Sequence, residues 1–437
     1  MRIVRVALAV GVAMGLAACG TMHVDTAPTA DDERVYDALH PYYAELCALS
    51  QFKKKPGFGA PVSSGFGDGI GGHSGLYLNG VCRVADAHYP TVKLCDADEG
   101  GDGASATGVG ISVNSHFKNA VWVATPGRDF YFRGGLRPHE KLTRDAYRRA
   151  QATAQKIDIL DGVEFHPEVF TEMPARMSRR DYMYEVSVAT DYAVGFGRDR
   201  YCARVPMDRN QMTRVAAFLN ELNAPYRDGK KDFEWDVLRN NCSHVAHNAL
   251  AAAGVWSEWK TDQSLLFAAL SFPVPKNEFV NLMRRTNDLP LDDPAALYRD
   301  KASRHALMEA GWLPTEPGAL AEAERVVLDN DVYETDLKLI FYDDPIIGVY
   351  RRRFERIFSE PRYTDLRANL AYFAELYRKI SHEATSRGSV TVSDKPNDLA
   401  AFYAQFFDYI EREREQIKAA QAFLSRAPES MATAVPR

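Results

Sequence analysis

The segment that most constrains this chain is Asn240-Asn241-Cys242-Ser243-His244-Val245-Ala246-His247-Asn248-Ala249-Leu250, which sets a cysteine at the start of a short helix. Alanines and Leu250 carry the helix forward, and Gly254 stands where a C-terminal cap is favoured. At the helical period Cys242, Val245, Ala246, Ala249 and Ala253 share one stripe, so the thiol points toward whatever the helix packs against. Unpaired backbone N–H groups and the positive end of the helix dipole both favour thiolate, the nucleophilic form, at such a position. The competing reading is a buried free cysteine acting as a small hydrophobe.

The chain that carries this helix is long enough, at 437 residues, for two or three domains with proper cores. Apolar content of 46% and charged content of 26% describe a folded soluble body. A net charge of -6 gives no reason to expect nucleic acid as a partner. No run of 18 apolar residues follows the N-terminal segment, so no transmembrane helix is expected there. At the N-terminus, Met1-Arg2-Ile3-Val4-Arg5 is positive and Val6 to Leu16 is apolar but short for a span. It leads into Leu16-Ala17-Ala18-Cys19-Gly20, which resembles the lipobox of bacterial lipoproteins. The resemblance implies a signal peptide over residues 1–18, cleavage before Cys19, and lipidation of its thiol. Gly20 in place of Asp after the cysteine implies sorting to the outer membrane of a Gram-negative cell, facing the periplasm. Two or more acyl chains on one cysteine suffice for stable anchoring.

Export changes how the cysteines count. With Cys19 lipidated, five of the six remain: Cys47, Cys82, Cys95, Cys202 and Cys242. An oxidising compartment favours disulfides, and an odd number leaves one thiol free. Two bridges among the first four leave Cys242 unpaired. Cys82 and Cys95 flank one loop and are the favoured pair, while the full connectivity stays open.

Residues 19–31 read as a flexible tether, and residues 32–270 as a mixed α+β domain. Asp32 to Phe52 places Val35, Leu39, Tyr43, Leu46 and Leu49 near helical spacing, which predicts an amphipathic helix. Gly67-Asp68-Gly69-Ile70-Gly71-Gly72 contains G-x-G-x-x-G, but neither a preceding strand nor a following helix supports a dinucleotide site. A mobile loop beside a cleft is the better reading, and no cofactor is expected. His73 to Leu78 is strand-like, with His73, Gly75 and Tyr77 on one face and Leu76 and Leu78 on the other. Gly110 to Ala124, Asp129 to Arg133, Tyr184 to Val188 and Tyr201 to Val205 read as further β segments. Helices are predicted over Lys141 to Lys156, begun near Thr143, and from a capping box of Asp208 with Gln211 through Leu222. Residues 271–437 read as an α-helical domain, with apolar stripes over Tyr363 to Ile380 and Leu399 to Leu424.

A catalytic cysteine needs a base. His244 and His247 lie two and five residues on, well off its face of the helix. His73, opening its strand after a glycine run, is the better candidate. Here a family resemblance enters. Gly72-His73-Ser74-Gly75-Leu76-Tyr77-Leu78 resembles the histidine strand of circularly permuted papain-like thiol enzymes, and Asn241-Cys242-Ser243-His244 their later Asn-Cys-x-His segment. Those families include the permuted NlpC-type enzymes and the lecithin:retinol acyltransferase-like group. The run from Leu76 to Gly254 is also similar to the Lnb-like lipoprotein N-acyltransferases. The resemblance implies an antiparallel sheet packed on helices, Cys242 as nucleophile and His73 as base. The 169 residues between the two are more than is usual there, implying large insertions. His116 is the candidate for the histidine-orienting residue, with Asp129 and His88 behind it.

That reading makes the protein a thiol-dependent acyl or amide hydrolase or acyltransferase, meeting peptidoglycan peptides or lipid acyl chains. Three alternatives stand beside it. Cys242, His244 and His247 spell C-x-H-x-x-H, but their directions diverge on a helix and no H-E-x-x-H occurs, so no metal is expected. Gly72-His73-Ser74-Gly75 is not the G-x-S-x-G of a serine hydrolase. A non-catalytic lipoprotein, binding cell wall or membrane partners through its helical domain, is the alternative from a different class.

Overall fold

The structure, a computed structural model, describes residues 26, 28–55, 72–96, 108–137, 140–237, 240–261, 274–335, 349–386 and 397–431. Cys19, the signal segment and all of the glycine run before Gly72 lie outside these residues.

A reciprocal box between Thr29 and Asp32 opens helix α1 (Ala30–Leu39). The helix expected to run on to Phe52 stops at His40, because Pro41 offers no N–H and pushes the residue before it out of the helical region. Tyr43, Leu46 and Leu49, expected on that helix, instead lie on strand β1 (Tyr43–Leu49). Buried throughout, this strand holds a central place in the sheet. After β2 (Lys53–Lys54) come β3 (His73–Asn79), the β4 (Val81–Arg83) and β5 (Val92–Leu94) hairpin, β6 (Gly108–Ser112) and β7 (Val123–Pro126). The single β segment expected over Gly110 to Ala124 is thus two strands with a loop between them. Asp129 to Arg133, expected as a strand, lies in α2 (Arg128–Arg133), closed by Gly134 in the left-handed conformation. The next helix is α3 (Arg144–Lys156), capped by Thr143 as its sequence predicts. Tyr184 to Val188 also departs from expectation. Its Tyr, Glu, Val and Ser belong to α4 (Arg179–Ser187), which Ser178 starts by accepting from the Asp181 N–H.

Strand β8 (Arg200–Pro206) leads into α5 (Arg209–Asn223), whose predicted Asp208–Gln211 box forms in both directions. The cysteine helix α6 (Cys242–Ala252) follows, then α7 (Pro275–Asn287), α8 (Pro294–Arg299) and α9 (Lys301–Ala310). Two strands then interrupt the expected all-helical region: β9 (Leu320–Glu324) and β10 (Tyr333–Glu334). β9 pairs with β8 and β10 with β2, so ladder hydrogen bonds cross the 270/271 boundary drawn from the sequence. The chain ends in α10 (Tyr350–Ser359), α11 (Leu366–Ser386) and α12 (Asn397–Met431). α11 and α12 pack on each other through Phe373, Tyr377, Phe402, Phe406 and Ile410, all buried.

The architecture is therefore α+β, around a six-stranded antiparallel sheet in the order β7-β6-β3-β1-β8-β9. Strand alternation splits this sheet into two unlike faces. Leu46 and Ala48 of β1, Leu76 and Leu78 of β3 and Ala203 and Val205 of β8 build an apolar face, on which α6 and α7 pack. The opposite face places His73, Gly75 and Tyr77 across from Leu49, Cys47 and Glu45, which in turn oppose Arg200, Cys202 and Arg204. Two disulfides form: Cys82–Cys95 ties the β4–β5 hairpin, and Cys47–Cys202 joins directly opposed residues of β1 and β8. Cys242 is the free thiol among the described cysteines.

Candidate active site at the start of the cysteine helix

Asn241 caps α6. Its Oδ1 accepts from the N–H groups of Ser243 (2.8 Å) and His244 (3.1 Å), while its Nδ2 donates to the Val237 carbonyl at 2.7 Å. The Val245 N–H is taken by the Asn241 carbonyl. Of the first-turn donors, the cap leaves the Cys242 N–H. The apolar stripe of α6 then presses onto the Ser74 side of β3, bringing distant parts of the chain together. The Ser74 N–H donates to Cys242 Sγ at 3.5 Å, and the Ser74 and Ser243 hydroxyls meet at 2.7 Å. The thiol thus rests one peptide unit from His73.

His73 is 7% exposed. Its Nε2 is buried without a hydrogen-bond partner among the described residues. Burial, with the nearby Arg198 guanidinium, drives the imidazole down to about 3, so the ring is neutral at ordinary pH. Burial also pushes the Cys242 thiol up, against hydrogen bonds from Ser74 and Ser243 and the field of Arg198. The thiolate expected at the helix start is therefore not the resting form. Asn241 already occupies two of the donors that would favour it, and Cys242 is partly buried. The resting site holds a neutral thiol and a neutral imidazole, and the hydrogen bond expected between them is not formed. Alternation along β3 is the reason: it sends the Ser74 side chain to α6 and the His73 ring to the opposite face.

The other sequence candidates lie elsewhere. His116 is half-buried in the loop after β6, with its ring beside Phe165 and its carbonyl accepting from the His166 N–H. Burial and His166 lower it to about 4, and its Nδ1 has no partner among the described residues. Asp129 lies on α2, 3.9 Å from Arg133, and His88 is exposed with Nδ1 3.0 Å from Asp161. His244 Nδ1 is turned to Asn241 Oδ1 at 3.1 Å. His247 is stacked between Trp256 and Trp259, at 4.2 and 3.8 Å between ring centroids, with Glu278 Oε2 and the Ser257 carbonyl on its two nitrogens. His247 has both ring nitrogens engaged, and among the described residues no group with metal-ligand spacing includes Cys242. Among the described residues the grouping with metal-ligand spacing is Glu45, Cys47 and Cys202, but the two cysteines are disulfide-bonded and Glu45 is held by Arg128.

Sequence reasoning missed Ser74 and Arg198. Ser74 was recoverable, since alternation places it opposite His73 and toward the helix. Arg198, buried with its guanidinium 4.2 Å from the Phe52 ring centroid, carries no motif. Gly75 and Gly110 admit the Tyr131 ring, since a Cβ at either position would collide with it. A cavity of about 1080 Å³ lies at the other end of α6, lined by Arg214, Gly254, Trp256, Tyr298 and Arg304. About 16 Å of helix separates that end from the thiol. Compared with known protein families, with curated proteins and with solved structures, the chain shows no match.

Proposed function

We propose that this protein is a cysteine-dependent acyl or amide hydrolase or acyltransferase, built on a permuted papain-like plan. It is held by lipid on Cys19 at the periplasmic face of the outer membrane and acts on cell-envelope peptides or lipid acyl chains. The observation that carries this reading is the Ser74 N–H to Cys242 Sγ contact. It sets the free thiol, at a helix start, one residue along β3 from His73, a neutral imidazole whose Nε2 has no partner among the described residues.

In the reaction, His73 Nε2 accepts the Cys242 proton and Sγ attacks the carbonyl carbon. The proton transfer requires the open Sγ–Nε2 bridge to close with substrate present, directly or through one water. The carbonyl oxygen takes up the electron pair and is held by the Cys242 N–H. One such donor is commonly worth ~3 kcal/mol, about a hundredfold in rate. Collapse expels the amine or alcohol, which takes the proton from His73 and leaves an acyl-thioester on Cys242. Water or a second amine or hydroxyl then attacks that thioester, with His73 again as base.

The test is alkylation of Cys242 by iodoacetamide, followed by turnover of envelope peptides and acyl donors. Alkylation near neutral pH should be slowed in His73→Ala, and Cys242→Ala should abolish turnover while leaving the fold intact. Turnover retained in Cys242→Ala sinks the proposal, as does a thiol indifferent to the reagent in the folded protein; the latter favours a binding lipoprotein.

A further inference from the structure

Thr26 is fixed to the edge of the central sheet. Its N–H donates to the Ala323 carbonyl at 3.0 Å, and its hydroxyl accepts from the Ala323 N–H at 2.9 Å. Ala323 lies on β9, the outermost strand on this side, directly opposite Tyr201 of β8. Seven residues lead from Cys19 to Thr26, and a chain of that length spans at most about 25 Å. A tether free as far as residue 31 leaves the body able to turn over on its anchor. One fixed at Thr26 keeps the β9 edge toward whatever holds Cys19.

The surface beside that edge carries positive charge that nothing neutralises. The Tyr201 ring meets Phe354 of α10 at 5.0 Å, so α10 packs next to β8 at this edge. Tyr350, Phe354 and Ile357 are its buried stripe. At the helical period the opposite side takes Arg352, Arg353 and Arg356, with Val349 just before the helix. Val349 is 48% exposed, and α10 holds four arginines against one glutamate, in a chain whose net charge is -6. Arg356 pairs with Glu360 at 2.7 Å. No ion pair joins Arg352 or Arg353 to a described residue, nor Arg325, exposed directly after β9.

We propose that the outer face of α10, together with Arg325, lies against the anionic phospholipid headgroups of the membrane that holds Cys19. The proposal rests on the acyl anchor proposed above and not on the thiol chemistry. The short leash brings this face to the bilayer, and the charges hold it there. An exposed apolar side chain among cations suits the headgroup boundary. Each arginine near an anionic surface adds an attraction that salt screens.

The test is an arginine footprint of the full chain, purified from membranes and placed in two kinds of vesicle. One is phosphatidylglycerol with phosphatidylethanolamine, the other phosphatidylcholine alone. Phenylglyoxal modifies accessible arginines, and mass spectrometry follows each. At low salt Arg325, Arg352 and Arg353 should react about fivefold more slowly in the anionic vesicles than in the neutral ones. The difference should vanish at about 1 M salt, where charges are screened within ~3 Å. Arg227, exposed beside the opposite edge, where Asn223 holds the segment entering β7, should react equally in both. Arg352→Glu/Arg353→Glu should bring Arg325 back to its rate in neutral vesicles. Equal rates for the three arginines in both vesicles, with Cys19 acylated, overturn the orientation; a face that meets an acidic protein gives that result. Protection of Arg227 to the same degree overturns it as well. The mass of the peptide bearing Cys19 reads the anchor separately, and a free thiol there defeats the anchor and the proposal with it.

Discussion

The two faces of the central sheet are both buried, yet they are stabilised by different physics. The α6 face is hydrocarbon: Leu46, Ala48, Leu76, Leu78, Ala203 and Val205. The α1–α2 face holds charge. Arg128 bonds Glu45 through Nε (2.7 Å) and Nη2 (2.9 Å), reaches Glu322 at 2.9 Å and contacts Glu33. Arg204 contacts Glu322 at 2.5 Å and lies over the Tyr36 and Tyr43 rings. Burial alone would raise the Glu45 carboxyl, but the two guanidiniums hold it down at about 2. The apolar face gains from every pairing of surfaces and tolerates small changes in shape. The charged face gains little over a hydrocarbon equivalent and fails steeply when one partner is removed. The candidate site lies where the two meet, with the thiol arriving from the apolar side and the imidazole turned to the polar one.

That contrast can be broken, beginning with the largest effect. The Cys47–Cys202 bond closes a separation of 155 residues on the charged face, and its loss in Cys47→Ala/Cys202→Ala should cost about 5 kcal/mol by chain entropy. Denaturant unfolding of the oxidised protein and the variant measures it, and a loss under about 1 kcal/mol would contradict the assignment. Next, Glu45 and Leu46 are sequence neighbours on opposite faces. Glu45→Gln, nearly unchanged in shape, should cost ~3–5 kcal/mol by stranding two buried guanidiniums. Leu46→Ala should cost ~2–5 kcal/mol through its cavity. If Glu45→Gln proves the milder by a wide margin, the charged face is not held as described.

The smallest effect is one of pH. Burial first, then Arg204, lowers His40 at the end of α1 to about 4. The unfolded chain therefore takes a proton near pH 6.5 that the folded one refuses until about 4. His40 contributes in full above 6.5, and its contribution falls away as pH drops through that window. Relative to His40→Gln, the unaltered protein should lose roughly 1.5 kcal/mol between pH 6.5 and 5. A stability difference constant over this range would place His40 outside the buried field.

The sequence made the apolar half of this molecule readable. Period-3.6 stripes located α5, α6, α11 and α12, and the Asp208–Gln211 box and Thr143 fixed helix starts to the residue. The charged half resisted because its signals cancel locally. Glu45 within β1 reads as a solvent-facing helical residue until Arg128 and Arg204, 83 and 159 positions away, are brought to it by folding. Gly127 and Gly134 bracket α2, but its Phe130-Tyr131-Phe132 run has the aromatic richness of a strand. At the site, Cys242 and its helix followed from local pattern, and Cys82–Cys95 from proximity. The left-handed turns at 189 and 193 did not, because alanine gives no hint of positive φ.

The pairing of β8 with β9 has a bearing on how the chain reaches this state. Between Pro206 and Leu320 the growing polypeptide carries a strand with one row of amides and carbonyls unmet, flanked by Tyr201, Ala203 and Val205. Any neighbouring extended segment can add to such a margin. Residues 320–324 are thus a closing seam as much as a strand. Until they arrive, the first three hundred residues are a template for self-association, whatever chemistry their cysteine performs.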